Sequence, residues 1–201
     1  MTAPAYRDRH RLEIFAVRKY AEPFTQLAQA VLGPGDVSPQ LKGEVFTVVS
    51  LASGCRHCQA HGAYGLHVRG TPDERIQALW DFERSSHFDE AERAALRLAR
   101  DAGIVPNGVT AQHFEELREH FEDSQIRELL AVIALSGFLN RYSDTLAVVT
   151  DQESVEWAQQ YLAPLGWSIG KHAGAVSERR IGAPVAGRPI ESMIPDAELH
   201  D

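Results

Sequence analysis

Apolar residues recur along this chain with the three-to-four-residue spacing of helices. No stretch alternates convincingly with the period of two that half-buried strands show, and glycine and proline fall between the periodic segments. The pattern therefore predicts an all-α protein, a compact bundle of about seven or eight helices.

Helix start signals precede several of these segments. Cap-type residues stand at the predicted starts: Ser38 before Pro39, Thr71 before Pro72, Asp89 with Glu92 three residues later, Thr110, and Ser124. Another helix is predicted from Cys55 to about Val68, after a break at Ser53-Gly54. The segment Leu129–Leu135 is apolar around most of a helix, which predicts a central, buried position.

The length of 201 residues fits one compact domain, which we place at residues 1–173. From about Gly174 the chain is rich in glycine and proline and has no periodicity. Residues 174–201 are therefore expected to form an extended C-terminal arm.

Two of the predicted helices show a weak internal sequence similarity, an echo of one segment in the other. Glu44–Leu51 aligns with Glu128–Leu135 at an offset of 84 residues, with identical residues at the Glu, one Val and the final Leu. An internal duplication of a helical unit is one interpretation of this echo, and chance similarity between two amphipathic helices is the other.

The charge distribution argues against several classes of partner. The formal net charge is -8, with 28 acidic and 20 basic residues, and no Lys/Arg cluster is interleaved with aromatic residues. Binding to nucleic acid or to an anionic membrane surface is therefore not expected. The first residues lack an apolar signal core, and the uncharged run Leu129–Asn140 is too short to span a bilayer. These features predict a cytoplasmic protein.

The only two cysteines, Cys55 and Cys58, lie three residues apart, with His57 between them and His61 just beyond. Thiols at positions i and i+3 of a helix share a face, so they can close a small disulfide and open it again. A close cysteine pair in a reducing compartment is more often catalytic or metal-binding than structural. The pair thus predicts two-electron redox chemistry that needs no cofactor.

Local electrostatics indicate how a thiol in this segment becomes reactive. The nucleophile is the thiolate, and the helix N-terminus favours negative charge, most strongly at Cys55. His57 and His61 can supply a positive charge or a path for the proton. Glu44, eleven residues before Cys55 on the preceding predicted helix, is a candidate general base or proton relay.

Each of these residues also has a simpler interpretation. The cysteines could be two small buried apolar side chains, or could bind zinc together with His61 and a distant fourth ligand. His57 could be a solvated surface residue, and Glu44 could be a solvated or salt-bridged helix residue.

The segment Ser53–His61 resembles the redox motif of the carboxymuconolactone decarboxylase/alkylhydroperoxidase D-like (AhpD-like) superfamily, in its peroxidase-related branch. Phe138–Leu146 and Asp89–Leu96 resemble segments common in that branch, so the resemblance covers most of residues 38–172. It implies an all-helical AhpD-like fold, a homo-oligomer that is often trimer-based, and a thiol-dependent hydroperoxidase activity.

The resemblance also implies roles for individual residues. Cys58 corresponds to the peroxidatic cysteine and Cys55 to the resolving one, with a hydroperoxide as substrate and an external thiol or disulfide reductant. His61 and Glu44 would form the proton relay, although each lies one residue from the position used in better-known members, which here is occupied by glycine. A lactone decarboxylase-type lyase is the alternative activity that the family name suggests, but that chemistry does not call for a cysteine pair.

Overall fold

The computed structural model describes residues 18–173, and within this range the chain folds as eight α-helices with no strand. The helices are α1 (Arg18–Leu32), α2 (Pro39–Ser53), α3 (Arg56–Val68), α4 (Asp73–Ala78), α5 (Glu90–Gly103), α6 (Ala111–Arg118), α7 (Asp123–Leu146) and α8 (Gln152–Tyr161). Short 3₁₀ turns cover Leu79–Asp81, Ala163–Leu165 and Gly170–His172. The all-α prediction and the number of helices are confirmed. The predicted arm, residues 174–201, lies outside the described residues.

Most of the predicted helix starts are confirmed by their caps. Ser38 accepts a hydrogen bond from the N–H of Leu41, and Asp89 forms a reciprocal capping box with Glu92. Thr110 likewise caps α6.

Two predicted starts are shifted by a residue or two. Pro72, not Thr71, holds the cap position of α4, and it makes no side-chain cap bond because its ring has no acceptor. Thr71 is buried just before it. The long helix α7 begins at Asp123 and is capped by Glu122, so Ser124 is its second residue and not its cap.

Helix α2 lies at the centre of the bundle, packed against α3, α5 and α7. Its residues Val45, Val48 and Val49 are buried, as are Leu129 and Val132 of α7. The prediction of a central α7 segment therefore holds, except that Leu130 reaches the surface.

An ion pair between a buried lysine and a partly exposed glutamate also joins α2 to α7. Lys42 Nζ lies 2.6 Å from Glu128 Oε1, and Lys42 is 1% exposed. The other oxygen of Glu128, Oε2, accepts the N–H of Val37 at 2.7 Å in the turn before α2. This pair and the apolar contacts fix α7 against the central helix, and α7 in turn carries groups that reach the cysteine site.

The connection between α2 and α3 positions the cysteines. Gly54 has φ +79°, a left-handed conformation that glycine adopts without steric cost, and its N–H donates to Leu51 O as α2 ends. The chain then reverses, and α3 packs along α2. A new helix N-terminus is thereby created at Cys55, as the sequence predicts.

The molecular surface has an apolar region on the side formed by α5, α6 and α7. A groove of about 630 Å³ is lined there by residues that include Leu130 and Phe138, both partly exposed. The expected homo-oligomer stays a prediction.

Among residues 18–173, no helix is both long and apolar enough to cross a membrane.

Candidate redox site at the start of α3

A disulfide joins Cys55 and Cys58, whose Cα atoms are 5.3 Å apart. Cys55 is the N-cap residue of α3, and its Sγ accepts a hydrogen bond from the N–H of Cys58 at 3.3 Å. The sulfur at position 55 therefore lies where the helix N-terminus favours negative charge, as the local electrostatic argument predicts.

Both cysteines are buried, with 1% of Cys55 and 4% of Cys58 exposed. Cys58 Sγ lies 4.0 Å from the carbonyl oxygen of Leu139, so α7 forms one wall of the site. On the other side, Trp167 Nε1 donates to Arg56 O at 3.1 Å and fastens the C-terminal segment over the start of α3. The disulfide is thus enclosed by elements distant in sequence.

His61, one helical turn after Cys58, meets a carboxylate from the start of α8. Its Nδ1 lies 2.8 Å from Asp151 Oδ2 and 3.4 Å from Ser154 Oγ. Asp151 also caps α8, because its Oδ1 accepts the N–H of Ser154 at 2.8 Å. The other oxygen of Asp151, Oδ2, is buried and makes no well-aligned hydrogen bond. The imidazole of His61 is the charge partner that lies beside it.

The electrostatics of this pair favour an ionised carboxylate. Burial alone would raise the pKa of Asp151, but the neighbouring His61 and the bonds from Ser154 outweigh it and hold this pKa well below its ordinary range. By the same attraction, the carboxylate stabilises the protonated form of His61. The pair therefore places an ionised carboxylate against the imidazole one helical turn after Cys58.

His57 is buried and not solvated, which excludes the interpretation as a surface residue. Its Nδ1 is 3.1 Å from Thr150 Oγ1, and its ring stacks on that of His61 with centroids 5.1 Å apart. Burial, followed by the charges of His61 and His172, lowers the pKa of His57 well below its ordinary value. This direction of the pKa disfavours a positive charge on His57, whose ring packs against that of His61.

Glu44 is buried on α2, but its carboxylate is engaged by a different partner. Arg75 Nε and Nη2 donate to Glu44 Oε1 and Oε2 at 2.7 and 3.0 Å, and Gln40 Nε2 donates to Oε1 at 3.0 Å. The same guanidinium also donates to Glu92 and to His87 O. Burial raises the pKa of Glu44, and Arg75 opposes that rise. These contacts match the salt-bridged interpretation, and none of them reaches a cysteine or His61.

A second histidine and carboxylate approach the other end of the disulfide. A ring nitrogen of His172, a carboxylate oxygen of Asp144 and Sγ of Cys55 all lie within 4.8 Å of one another. His172 is fully buried. Among the described residues, this trio is the group of His, Cys and acidic side chains close enough to hold a metal ion. It differs from the zinc ligands that the sequence suggested, since His172 and Asp144 take the place of His61.

Sequence reasoning did not identify Asp151, Asp144 or His172. Asp151 follows Thr150 and precedes Gln152-Glu153-Ser154, a cap pattern that could have marked a helix start. Asp144 lies within the segment Phe138–Leu146 that resembles the peroxidase-related branch, but the resemblance gave it no role. For His172 we find no local signal.

Comparison with known proteins places this geometry in context. The uncharacterized protein YnjA of Escherichia coli (strain K12) is 23% identical over 112 residues, which is 56% of this chain and 62% of YnjA. The match thus spans less than two thirds of that relative.

Among solved structures, a variant of the debrominase Bmp8 in complex with 2,3,4-tribromopyrrole superposes with a TM-score of 0.69 at 22% identity, over 79% of this chain and 89% of Bmp8. The AhpD core of an uncharacterized peroxidase-related protein from Ralstonia eutropha JMP134 superposes with a TM-score of 0.62 at 22% identity, over 70% of this chain and 75% of that protein. These likenesses establish an AhpD-like fold. Residues 18–101, from the start of α1 into the last turn of α5, match the model of the carboxymuconolactone decarboxylase family. The chain thus has an AhpD-like fold, and its first five described helices are similar to the carboxymuconolactone decarboxylase family.

Proposed function

We propose that this protein is a thiol-dependent hydroperoxide reductase, with Cys58 as the attacking residue and Cys55 as the resolving residue. The observation that carries the proposal is the disulfide at the start of α3 with the His61–Asp151 pair one turn further along the same helix. Closing a disulfide supplies two electrons, the number needed to cleave one O–O bond.

The first step is the attack on the peroxide. His61 accepts the proton of the Cys58 thiol, and the Asp151 carboxylate stabilises the imidazolium that results. The thiolate attacks the terminal oxygen of the hydroperoxide, the O–O bond breaks, and Cys58 becomes a sulfenic acid. The imidazolium of His61 then protonates the departing alkoxide, which leaves as an alcohol.

The later steps regenerate the dithiol. The Cys55 thiol attacks the sulfenic sulfur of Cys58, a water molecule leaves, and the disulfide forms. Two equivalents of an external thiol then reduce the disulfide and are themselves oxidised to a disulfide. Because both sulfurs are buried, the reductant needs access to Cys58, the more exposed of the two.

The two single-serine variants test both the activity and the assignment of roles. Cys58→Ser should abolish peroxide consumption. Cys55→Ser should lose turnover but still react once with peroxide and form a sulfenic acid at Cys58, trapped by a dimedone-type reagent and located by mass spectrometry. If the sulfenic acid forms at position 55 in Cys58→Ser, the helix N-terminus sets the nucleophile and the roles are exchanged. Peroxide consumption unchanged in both variants would refute the proposal.

A further inference from the structure

The Asp144–His172 pair beside Cys55 has no role in the peroxide mechanism. The two side chains come from the last turn of α7 and from the 3₁₀ turn Gly170–His172, while Cys55 begins α3. Three separate segments of the chain thus converge on one sulfur, and a ring nitrogen, a carboxylate oxygen and Sγ lie within 4.8 Å of one another.

The orientation of His172 is fixed by a backbone carbonyl. Its Nδ1 lies 2.7 Å from Val148 O, and since a carbonyl only accepts, Nδ1 must carry the hydrogen. Nε2 then points its lone pair toward Asp144 Oδ1, 3.4 Å away. Nε2 of the buried His172 thus faces a carboxylate that is 39% exposed, and a proton on Nε2 or a cation between the two groups would complete this contact.

The same arrangement is typical of metal-binding histidines, which donate their second ring N–H to a carbonyl or carboxylate. The other oxygen of Asp144, Oδ2, is held at 2.7 Å by Lys171 Nζ, so this carboxylate is also oriented. Zinc favours four ligands drawn from thiolate, imidazole and carboxylate groups. Donor atoms around tetrahedral zinc are about 3.3 to 3.8 Å apart, so small rotations of these side chains would suffice.

Reduction of the disulfide supplies the remaining ligands. Cys58 Sγ is bonded to Cys55 Sγ in the oxidised form, so both thiolates appear at the same place when the bond is cleaved. We propose that the reduced protein binds one thiophilic divalent cation, of which Zn²⁺ is the type, through Cys55, Cys58, His172 Nε2 and Asp144. Binding displaces the two thiol protons.

Oxidation would release the ion. A two-electron oxidant removes one electron from each thiolate, the S–S bond forms, and only His172 and Asp144 remain as ligands. With a hydroperoxide as oxidant, two protons are consumed and the products are the alcohol and water. The site is therefore closed to metal in the disulfide form. Metal binding therefore requires that Cys55 and Cys58 change between dithiol and disulfide, but it does not require that the protein turn over peroxide rapidly.

Zinc titration of the full chain tests the proposal. Protein reduced with a phosphine and desalted without oxygen is titrated with ZnCl₂ against a chromophoric chelator, beside the disulfide form. We expect one Zn²⁺ per chain in the reduced form and less than a tenth of that in the oxidised form. Co²⁺ should give the thiolate charge-transfer and tetrahedral d–d bands only in reduced protein.

Variants distinguish the ligand set from the dithiol alone. His172→Asn and Asp144→Asn should each weaken Zn²⁺ binding at least tenfold. The matched control is His67→Asn, because His67 Nδ1 forms a similar 2.7 Å pair with Asp73 elsewhere on the surface. Circular dichroism tests whether each variant is folded. If a variant does not fold, the Co²⁺ spectrum of the wild type still tests the site.

Three outcomes would overturn the proposal. They are no Zn²⁺ binding by the reduced wild type, equal binding by the reduced and oxidised forms, and unchanged affinity in both His172→Asn and Asp144→Asn. If reduced wild type binds no metal while His172→Asn changes the pH profile of thiol alkylation, the pair serves proton transfer to Cys55 instead. Loss of peroxide activity alone leaves these binding results intact and concerns only the proposed enzyme function.

Discussion

Two carboxylates near the α2–α3 connection show how the partner of an ion pair decides its chemistry. Glu44 on α2 is paired with Arg75, and Asp151 at the start of α8 is paired with His61. Arginine keeps its proton at every accessible pH, so the first pair has one charge state near neutrality. Histidine titrates near neutrality, so the second pair can take up and release a proton. The partner, more than the carboxylate itself, separates a structural ion pair from the pair that we propose as a proton relay.

The largest effect that separates the two pairs is expected for Glu44→Gln. The change replaces the carboxylate by a neutral amide, so Glu92 is the remaining anionic group bound to the partly buried Arg75 guanidinium, and the free energy of unfolding should fall by about 3 kcal/mol. Peroxide turnover of the folded variant should change by no more than about threefold, since Glu44 contacts neither His61 nor a cysteine. Urea denaturation and a peroxide assay measure the two quantities.

Glu92→Gln is the matched control, because Glu92 binds the same guanidinium but is 25% exposed. It should cost about 1 kcal/mol or less. A hundredfold loss of turnover in folded Glu44→Gln would place Glu44 in the relay, as the sequence suggested, and would break the comparison.

Asp151→Asn should instead affect chemistry. Asparagine retains the helix cap but removes the charge that stabilises the imidazolium of His61. We expect kcat/KM for peroxide to fall about 10- to 100-fold and the pKa of the Cys58 thiol to rise. The pH dependence of alkylation of the reduced protein by iodoacetamide measures this thiol pKa in the absence of peroxide.

Asp73→Asn is the control for Asp151→Asn, because Asp73 makes a similar contact, 2.7 Å long, with His67 outside the redox site. It should leave both kcat/KM and the alkylation profile unchanged. Identical alkylation profiles for Asp151→Asn and wild type would show that the carboxylate only caps α8.

A smaller effect is expected in the pH dependence of stability. The folded protein holds the pKa of Asp151 below its ordinary value of 3.8, so in acid the unfolded chain binds the proton more readily than the native state does. The stabilisation is therefore complete above about pH 5 and declines as the pH falls toward the folded pKa. The stability difference between wild type and Asp151→Asn should shrink over this acid range in urea titrations. A difference that is constant or grows toward low pH would contradict the assignment.

The smallest effect is predicted for Ser154→Ala. The hydroxyl lies 3.4 Å from His61 Nδ1, at the outer limit of a hydrogen bond, while the cap bond uses the backbone N–H of the same residue. Removing the hydroxyl should cost about 0.5 to 1 kcal/mol of stability and reduce turnover less than threefold. A loss as large as that of Asp151→Asn would identify Ser154, and not the carboxylate, as the group that orients His61.

Local features of the fold could be predicted because their causes lie within a few residues. Ser38, Asp89 and Thr110 cap the helices that follow them, and Gly54 ends α2 where Cys55 begins α3. The apolar residues around most of Leu129–Leu135 indicate the central position of this part of α7, apart from the exposed Leu130. These elements depend on hydrogen bonds and faces within a single helix, which a sequence window contains.

The complete site could not be predicted, because its remaining groups arrive through packing. Asp151 meets His61 across 90 residues of chain, and His172 meets Cys55 across 117. Glu44 had the expected position on α2, but its charge partner comes from α4, which no local pattern connects to it. A single sequence identifies the reactive helix start, whereas the residues that tune it depend on tertiary contacts.

The hydrogen bond from the Cys58 amide to Cys55 Sγ has a practical consequence. The Cys58 amide donates to a sulfur whose bonding changes on reduction, so the NMR resonance of this amide should shift whenever the pair is reduced. Serine at position 55 keeps an acceptor for that amide, whereas alanine removes it and loosens the first turn of α3. Oxidation of the pair can thus be followed by NMR from one backbone signal, with no label on either sulfur.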